Sequence, residues 1–247
     1  MKMHGNTIFI TGGASGIGRG LAEAFHKRGN QVVIAGRREQ ALKEVCDGNP
    51  GMSWIRMDVS DPASIRRAAA EVTSKFRQLN CVINNAGIQR VHDFTRSDTI
   101  DDRVREEVDT NLLGVILVTA AFLPHLQRQE NAALVNVSSG LGFVPVSRFP
   151  IYCATKAAVH SFCLSLRRQL QSTGVKVIEI VPPLVASGLK RTQGPPSGGP
   201  TPMPLEEFIT AVMGELETGV EEVAIGQAKG LVAAGGRLKE IFAGMNP

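Results

Sequence analysis

The sequence predicts an α/β fold: a doubly wound sheet of about seven parallel strands with helices on both faces. Short, continuously apolar runs alternate with longer runs in which apolar residues recur every three or four positions. Continuous apolar runs are typical of strands buried on both faces, and parallel neighbours require crossover helices. The predicted strands are Thr7–Thr11, Gln31–Ala35, Ser53–Met57, Cys81–Asn84, Ala133–Val137, Lys176–Val181 and Glu222–Ile225.

Helix signals fill the intervals between these strands. In the first interval Leu21 and Phe25 share one helical face, and Gly29 follows as a stop. Asp61 and Pro62 give the third helix an N-cap and a proline in its first turn. The alternation of strand and helix therefore continues through most of the chain, as a doubly wound sheet requires.

The length of 247 residues predicts one domain, 1–247. We expect an α/β core at 5–181, and a helix, a strand and a tail at 205–247. Residues 182–204 are rich in proline and lack periodicity, which predicts a substrate loop that forms a lid or a disordered segment.

Charge and cysteine content exclude several functional classes. The net charge of +4 is mild and the arginines are dispersed, so we expect no nucleic-acid partner. Cys46, Cys81, Cys153 and Cys163 show no C-x-x-C spacing, which argues against a disulfide scaffold or a zinc site, and Cys81 and Cys163 are predicted to be buried. The first apolar run is too short for a signal peptide or a membrane span, so a cytoplasmic location without membrane attachment is expected.

A glycine-rich turn, TGGASGIG, connects the first strand to the first helix. Glycines allow a tight turn and let a pyrophosphate approach the positive end of the helix dipole. The spacing differs from the usual G-x-G-x-x-G, but the position between strand and helix favours a dinucleotide. Gly12, Ser15, Gly16, Ile17 and Gly18 are the residues predicted to hold it.

The end of the second strand favours NADP(H) over NAD(H). Folds that bind NAD carry an acidic residue there, whereas this chain has Gly36 followed by Arg37 and Arg38. An arginine can hold the 2′-phosphate with a fork of donors. Alternatively, Arg37 only stacks on the adenine, which would leave NAD(H) possible.

The chain carries, in this order, TGGASGIG, Asp58, NNAG at 84–87, Asn111, the Ser138-Ser139 pair and YCATK from Tyr152. From about residue 5 to 187, the order and spacing of these motifs resemble those of the short-chain dehydrogenases/reductases, a family with a Rossmann-type fold. The stretches IYCATKAAVHSF, VKVIEIVPPLV and AIGQAKGL are similar to the DltE-like branch of bacterial oxidoreductases.

The resemblance implies a catalytic group. Tyr152, the only tyrosine, would be the general acid/base, and Lys156 would stabilise its phenolate from one helical turn away and hold the nicotinamide ribose. Ser139 would hydrogen-bond the reacting oxygen, whereas Ser138 is expected to point away. Asn111 would anchor a water chain from Lys156.

The resemblance also implies a cofactor site. Asp58 would accept from the adenine amino group, and the NNAG segment would border the adenosine ribose. Two departures from the family pattern are Pro183, which replaces a glycine, and Ser15, which stands where many NADP-dependent relatives have a basic residue. The full predicted set is Gly12, Ser15, Gly16, Ile17, Gly18, Arg37, Arg38, Asp58, Val59, Asn85, Ala86, Gly87, Tyr152, Lys156, Pro182, Val185 and Ser187.

The predicted function is hydride transfer between NADP(H) and a small carbonyl or secondary alcohol. An NAD-preferring dehydrogenase and a non-catalytic dinucleotide sensor remain alternatives. His92, His125 and His160 lack metal-like spacing, so no metal is expected. The family implies a homodimer or homotetramer in which two helices, Asp98–Phe122 and Tyr152–Leu170, pair across a two-fold axis. By family position, the substrate would meet Gln89, Leu141, Phe143, Phe149 and Leu189.

Overall fold

A computed structural model describes residues 2–95, 102–188 and 201–234, and its seven strands form one parallel sheet. The order across the sheet is β3-β2-β1-β4-β5-β6-β7. The strands are β1 (Thr7–Thr11), β2 (Gln31–Gly36), β3 (Ser53–Arg56), β4 (Leu79–Asn84), β5 (Ala133–Val137), β6 (Lys176–Val181) and β7 (Glu222–Ala224).

Helices cover both faces of this sheet. A π-helical turn, Asp109–Leu113, joins α4 to α5, and a 3₁₀ turn, Gly140–Gly142, follows β5. The helices are α1 (Gly16–Lys27), α2 (Glu39–Asp47), α3 (Pro62–Lys75), α4 (Asp102–Val108), α5 (Gly114–Leu126), α6 (Pro150–Gln169), α7 (Leu205–Glu217) and α8 (Gln227–Ala233). The predicted α/β fold with a seven-stranded parallel sheet is confirmed.

Each predicted strand is present, and the differences are confined to strand ends. β4 begins at Leu79 instead of Cys81, because Leu79 pairs with Thr7 of β1. β2 extends to Gly36, which pairs with Arg56, the last residue of β3. Pairing with a neighbouring strand decides these ends, and a hydrophobic pattern in one segment does not contain that information.

Two apolar layers, one on each face, hold the helices to the sheet. Ile8 and Ile10 of β1 pack with residues of α1, α2 and α7, whereas Phe9 faces the layer formed with α3, α5 and α6. Alternate residues of a strand point to opposite faces, so a strand covered on both sides is apolar throughout. Cys81 and Cys163 are buried in these layers, as predicted, and the four cysteines are free thiols.

The helical stretch from α4 to α5 is unusually apolar. By length and composition alone, Asp102–Leu126 would suit a membrane span. Val115, Val118 and Phe122 are nevertheless buried in the core of this domain. The sequence predicted one helix from Asp98 to Phe122; the π-helical turn interrupts it, and its first residues, 98–101, lie outside the described part of the chain.

The strand order creates a crevice at the carboxyl edge of the sheet. From β1 the chain moves outward to β2 and β3, and then returns to place β4 on the other side of β1. The connections that leave β1 and β4 therefore diverge to opposite faces, and ligands of open α/β sheets bind at such a switch point. The predicted site residues follow the carboxyl ends of these strands.

Candidate active site

Two glycines of the turn after β1, Gly12 and Gly18, lie too close to Asn85 to carry side chains. A Cβ at Gly12 would lie 2.9 Å from Nδ2 of Asn85, and one at Gly18 would lie 2.4 Å from the same atom. Gly12 and Gly16 also have positive φ angles of 69° and 54°. Glycine is needed at Gly12 and Gly16 for backbone conformation as well as for space.

The segment after β4 braces this turn. The hydroxyl oxygen of Thr11 accepts from the N–H groups of Asn85 (2.9 Å) and Ala86 (3.0 Å). The Asn85 amide donates to the Thr11 carbonyl at 3.0 Å. Asn84 is instead buried in the sheet, where it donates to Asn136 at 2.9 Å. The NNAG segment therefore fixes the glycine turn and the central strands at the same time.

The connection after β6 closes over the other end of the turn. A Cβ at Gly16 would lie 2.5 Å from the Ser187 carbonyl oxygen. The Pro182 carbonyl accepts from the N–H of Gly140 at 3.0 Å, which links this connection to the segment after β5. Val185 forms an isolated bridge with Met203, so both ends of the predicted 182–204 loop are held together.

The arginines after β2 take different partners. The guanidinium of Arg38 donates to Oγ of Ser15 at 3.0 Å, at the N-terminus of α1. Arg37 lies 3.9 Å from a carboxylate oxygen of Glu106. Ser15 occupies the position where many relatives carry a basic residue, and Arg38 brings a positive charge to that place. Sequence order alone did not indicate this contact.

The loop after β3 carries Asp58 in a local turn. Its Oδ1 accepts from the N–H of Ser60 at 2.9 Å and from the Ser60 hydroxyl at 2.7 Å. Asp61, and not Asp58, caps α3, because its side chain accepts from Ala63 N–H. Val59 is buried against Gly114, where a Cβ would lie 2.8 Å from the Val59 carbonyl.

Tyr152 and Lys156 lie on the first turns of α6, and both side chains are buried. Nζ of Lys156 is 5.7 Å from the centre of the Tyr152 ring and donates to the Val137 carbonyl at 2.7 Å. Burial lowers the pKa of Lys156 to about 8, while the nearby Cys163 and Glu179 raise it. The ammonium form still predominates at neutral pH.

Asn111 lies in the π-helical turn and is completely buried. Its Oδ1 accepts from the N–H of Ile88, and its Nδ2 donates to the Ile88 carbonyl, both at 2.8 Å. Nδ2 also approaches Oγ1 of Thr155 at 3.3 Å. A Cβ at Gly87 would lie 3.7 Å from Nζ of Lys156, so the segment that Asn111 holds borders the lysine.

A buried histidine–carboxylate pair supports the next residues of that segment. Glu107 accepts from the N–H of Arg90 at 3.2 Å, and its other oxygen lies 2.8 Å from Nε2 of His92. Burial raises the pKa of the Glu107 carboxyl, and the hydrogen bonds from His92 and Arg90 oppose that rise. Glu107 and Asn111 therefore hold residues 88–92 at four points from one helical stretch.

The two serines after β5 point in different directions. Oγ of Ser138 donates to the Ile180 carbonyl of β6 at 3.4 Å, whereas Oγ of Ser139 accepts from Leu141 N–H at 3.1 Å. Ser139 caps the 3₁₀ turn that precedes α6, on whose first turns Tyr152 lies. This difference agrees with the expectation that Ser138 faces the sheet.

The predicted substrate residues differ in their burial and in the side chains that they contact. Gln89 is buried, and no described residue forms a hydrogen bond with its Oε1. The Phe143 ring packs on His160 with centroids 4.3 Å apart, and Arg148 lies over the Phe149 ring. Leu141 is half-buried beside Ser139. Leu189 lies outside the described residues.

The geometry fits a nicotinamide dinucleotide. Glycines leave room for a backbone-bound pyrophosphate at the N-terminus of α1, and the connections after β4, β5 and β6 converge beside it. A model of the short chain dehydrogenase family matches residues 6–197. The chain belongs to that family. Its predicted membership of the short-chain dehydrogenases/reductases is thereby confirmed, and it is an oxidoreductase of the class that acts on CH–OH groups.

Similar proteins support the assignment of the chain to this family. The uncharacterized oxidoreductase DltE of Bacillus subtilis is 38% identical over 94% of this chain and 92% of its own. A short chain dehydrogenase from Burkholderia cenocepacia in complex with NADP superposes with a TM-score of 0.85 at 26% identity, covering 99% of both chains. One from Burkholderia phymatum in complex with NAD gives 0.84 at 22% identity, covering 100% of this chain and 98% of that one, which shows the shared fold.

Proposed function

We propose that this protein transfers hydride between nicotinamide and a carbonyl or secondary alcohol, with NADP(H) preferred. The observation that carries the proposal is the position of Tyr152 and Lys156. Both side chains are buried one turn apart on α6, and Nζ of Lys156 lies beside Gly87 of the segment that braces the glycine turn. In this arrangement the bound nicotinamide supplies the hydride and the protein moves the proton.

In the reductive direction the Tyr152 hydroxyl donates its proton to the substrate carbonyl oxygen. A phenol with a reference pKa near ~10 ionises near neutrality only if about 4 kcal/mol of stabilisation is supplied. The Lys156 ammonium, whose Nζ lies 5.7 Å from the centre of the Tyr152 ring, would supply part of this stabilisation by Coulomb attraction to the phenolate. The N-terminus of α6 adds to this.

Ser139 and Asn111 complete the proposed catalytic group. The Ser139 hydroxyl lies on the segment that precedes α6 and would hold the substrate oxygen through its own proton. Asn111 would position the segment at Gly87 beside Lys156, and the π-helical turn that contains it alters the helical hydrogen-bond register, as is frequent at functional sites. A water chain from Lys156 past this turn would return the proton.

The preference for NADP(H) is supported by the residues after β2. There is no carboxylate at Gly36 to compete with a 2′-phosphate, and Arg38 lies against Ser15 at the N-terminus of α1. A guanidinium at this place offers charge-assisted hydrogen bonds to a phosphate. Arg37 would assist, although its ion pair with Glu106 weakens its attraction for the phosphate. The complex of the Burkholderia cenocepacia relative with NADP agrees with this proposal.

For the substrate we propose a small carbonyl compound with an apolar body. Leu141, Phe143, Phe149 and Val185 are its expected apolar neighbours, and the unpartnered Oε1 of Gln89 would accept from a substrate hydroxyl or amide.

The proposed activity is tested by replacing Tyr152 with phenylalanine. A carbonyl substrate would first be found by screening for NADPH oxidation, and turnover and NADPH affinity would then be measured for both proteins. Loss of the proton donor should lower turnover by about 10²-fold or more. NADPH affinity should change little. Unchanged turnover, or a wild-type protein that binds neither NADPH nor NADH, would overturn the proposal.

A homodimer or homotetramer is proposed for the assembly. Leu113, the last residue of the π-helical turn that leads into α5, and Leu164 on α6 are 43% and 49% exposed. Both α5 and α6 also bury an apolar face in their own domain. Helices that are apolar on a second face are stable in water when another surface covers that face. The pairing of these two helices across a two-fold axis would do so.

A further inference from the structure

Three potential metal ligands meet beside α6, apart from the proposed catalytic group. His160 lies on α6, Glu179 in the middle of β6, and Glu222 at the start of β7. Their ligand atoms all lie within 4.8 Å of one another. Glu179 and Glu222 are register partners on neighbouring parallel strands, so their side chains leave the same face of the sheet.

Glu179 is a completely buried carboxylate with incomplete partners. Oε2 lies 2.9 Å from Nδ1 of His160, but Oε1 has no hydrogen-bond partner in the part of the chain that the structure describes. Among the described residues, no lysine or arginine forms an ion pair with it. Burying a carboxylate in this way is costly unless a cation or further donors compensate the charge.

Glu222 adds a second negative charge to the same place. Among the described residues Glu222 has no ion pair, and Arg167 pairs instead with the neighbouring Glu221 at 3.0 Å and donates to the Glu221 carbonyl. Two carboxylates at this separation repel each other unless a proton or a metal ion lies between them. His160 contributes at most one positive charge.

We propose that His160, Glu179 and Glu222 bind one divalent ion of the zinc class. An imidazole nitrogen with carboxylate oxygens is a ligand set typical of Zn²⁺, whereas Mg²⁺ and Ca²⁺ prefer oxygen ligands alone. With bonds of about 2.1 Å, tetrahedral ligand atoms lie about 3.4 Å apart. The half-exposed Glu222 side chain can make the small adjustment that this requires, and water can complete the coordination from the exposed side.

Such an ion would have a structural role. β7 is the shortest strand, with three residues, and forms one edge of the sheet as described. A metal held by β6, β7 and α6 would fix this edge to the core. His160 also packs on Phe143, which directly follows the 3₁₀ turn capped by Ser139, so the ion would steady that segment as well. Metal binding that requires the folded arrangement stabilises the fold.

The test is calorimetric titration of the full chain, freed of metal with EDTA, with ZnCl₂ and separately with MgCl₂. We expect one equivalent of Zn²⁺ to bind and raise the thermal midpoint, without a comparable effect of Mg²⁺. His160→Asn and Glu222→Gln should each weaken Zn²⁺ binding by about tenfold or more, which corresponds to about 1.4 kcal/mol. His160 and Glu222 are partly exposed, so these two substitutions leave the core unchanged, whereas Glu179→Gln would alter a fully buried position.

Two control variants separate this site from other zinc ligands. Glu221→Gln makes the same chemical change one position away, and Cys46→Ser removes the half-buried thiol, so both should bind Zn²⁺ as the wild type does. Co²⁺ bound to the wild type should show no thiolate charge-transfer absorption. The proposal is overturned if Zn²⁺ does not bind, if the His160 and Glu222 variants bind it normally, or if Co²⁺ shows thiolate ligation. None of these readouts depends on enzymatic activity.

Discussion

At the scale of single residues, Lys156 is subject to two opposing electrostatic effects. Burial lowers its pKa to about 8, and electrostatic interactions with Cys163 and Glu179 oppose this effect. A pKa of about 8 keeps most of the lysine protonated at neutral pH, so that it can stabilise the Tyr152 phenolate. The same burial means that the folded protein holds this proton less tightly than the unfolded chain does.

Replacing Lys156 with methionine should therefore stabilise the protein at neutral pH. The folded pKa of about 8 lies below the ordinary value of 10.5, so the charged lysine opposes folding below pH 8, and this cost disappears as the pH rises toward 10.5. A pKa shift of this size corresponds to a gain of about 3 kcal/mol in the free energy of unfolding when the charge is removed. Loss of the hydrogen bond to Val137 reduces the expected gain to about 2 kcal/mol. Urea unfolding would measure the gain at pH 7 and its decrease at pH 10.

An exposed lysine provides the comparison. Lys27→Met removes the same charge from the end of α1 and should change the free energy of unfolding by less than about 0.5 kcal/mol. A Lys156→Met protein that is less stable than wild type at pH 7 would contradict the argument.

The choice of cofactor is also decided by single residues. Arg38→Ala should weaken NADPH binding by about tenfold, the equivalent of one charge-assisted hydrogen bond, and leave NADH binding nearly unchanged. Arg37→Ala should have a smaller effect, because Arg37 faces Glu106 as well. Calorimetric titration with both cofactors measures this difference. Equal losses for NADPH and NADH, or tighter wild-type binding of NADH, would favour the NAD-preferring alternative.

At the scale of elements, two helical glycines differ in their surroundings. Gly18 lies in the first turn of α1, where a Cβ would lie 2.4 Å from the Gly12 carbonyl oxygen and from Nδ2 of Asn85. Gly214 lies in the interior of α7, is exposed, and has no atom within 4 Å of a Cβ position. Adding one methyl group should therefore have opposite effects at the two positions.

Gly18→Ala should destabilise the protein by about 1–3 kcal/mol and weaken NADPH binding, because it displaces the turn and Asn85. Gly214→Ala should stabilise it by about 0.5–1 kcal/mol, because alanine loses less conformational entropy in a helix. Urea unfolding of both variants, with NADPH titration of the first, checks this pair. Wild-type NADPH affinity in Gly18→Ala would show that the turn does not approach the cofactor.

Element types were predictable because their signals are local. β5 and β6 are mostly apolar and buried on both faces, and Asp61 and Pro62 mark the start of α3 within two residues. The π-helical turn was not predictable, since its apolar spacing resembles that of an ordinary helix. Strand ends were also imprecise, since pairing such as that of Gly36 with Arg56 depends on a distant segment.

The same distinction applies to the site. Residues that follow the carboxyl ends of strands could be assigned to one crevice, because a parallel sheet brings those ends to one edge. Contacts that depend on side-chain direction could not be assigned. The Arg38–Ser15 hydrogen bond and the cluster of His160, Glu179 and Glu222 join elements far apart in the chain, and their sequence spacing carries no signal.

At the scale of the whole molecule, the apolar surface is distributed unevenly. In the part of the chain that the structure describes, the exposed large apolar side chains are Phe94, Leu113, Leu164 and Val220. Leu113 and Leu164 belong to the helical layer of α5 and α6, which already buries Phe122 and Val159 on its inner face. A subunit contact on this layer would cover apolar surface on the elements that carry Asn111 and Tyr152, and so would stiffen the proposed catalytic group.

Placing a charge on this layer should therefore disrupt the assembly. Leu164→Glu would bury an unpaired carboxylate in the contact, so light scattering should show a smaller species than the wild-type dimer or tetramer. Val220→Glu places the same charge on an exposed apolar position that belongs to neither helix, in the turn between α7 and β7, and its mass should match the wild type. A monomeric wild-type protein, or a Leu164→Glu protein of wild-type mass, would show that this layer does not join subunits. If the contact supports the catalytic group, Leu164→Glu should also lower turnover, although its side chain lies on the exposed side of α6.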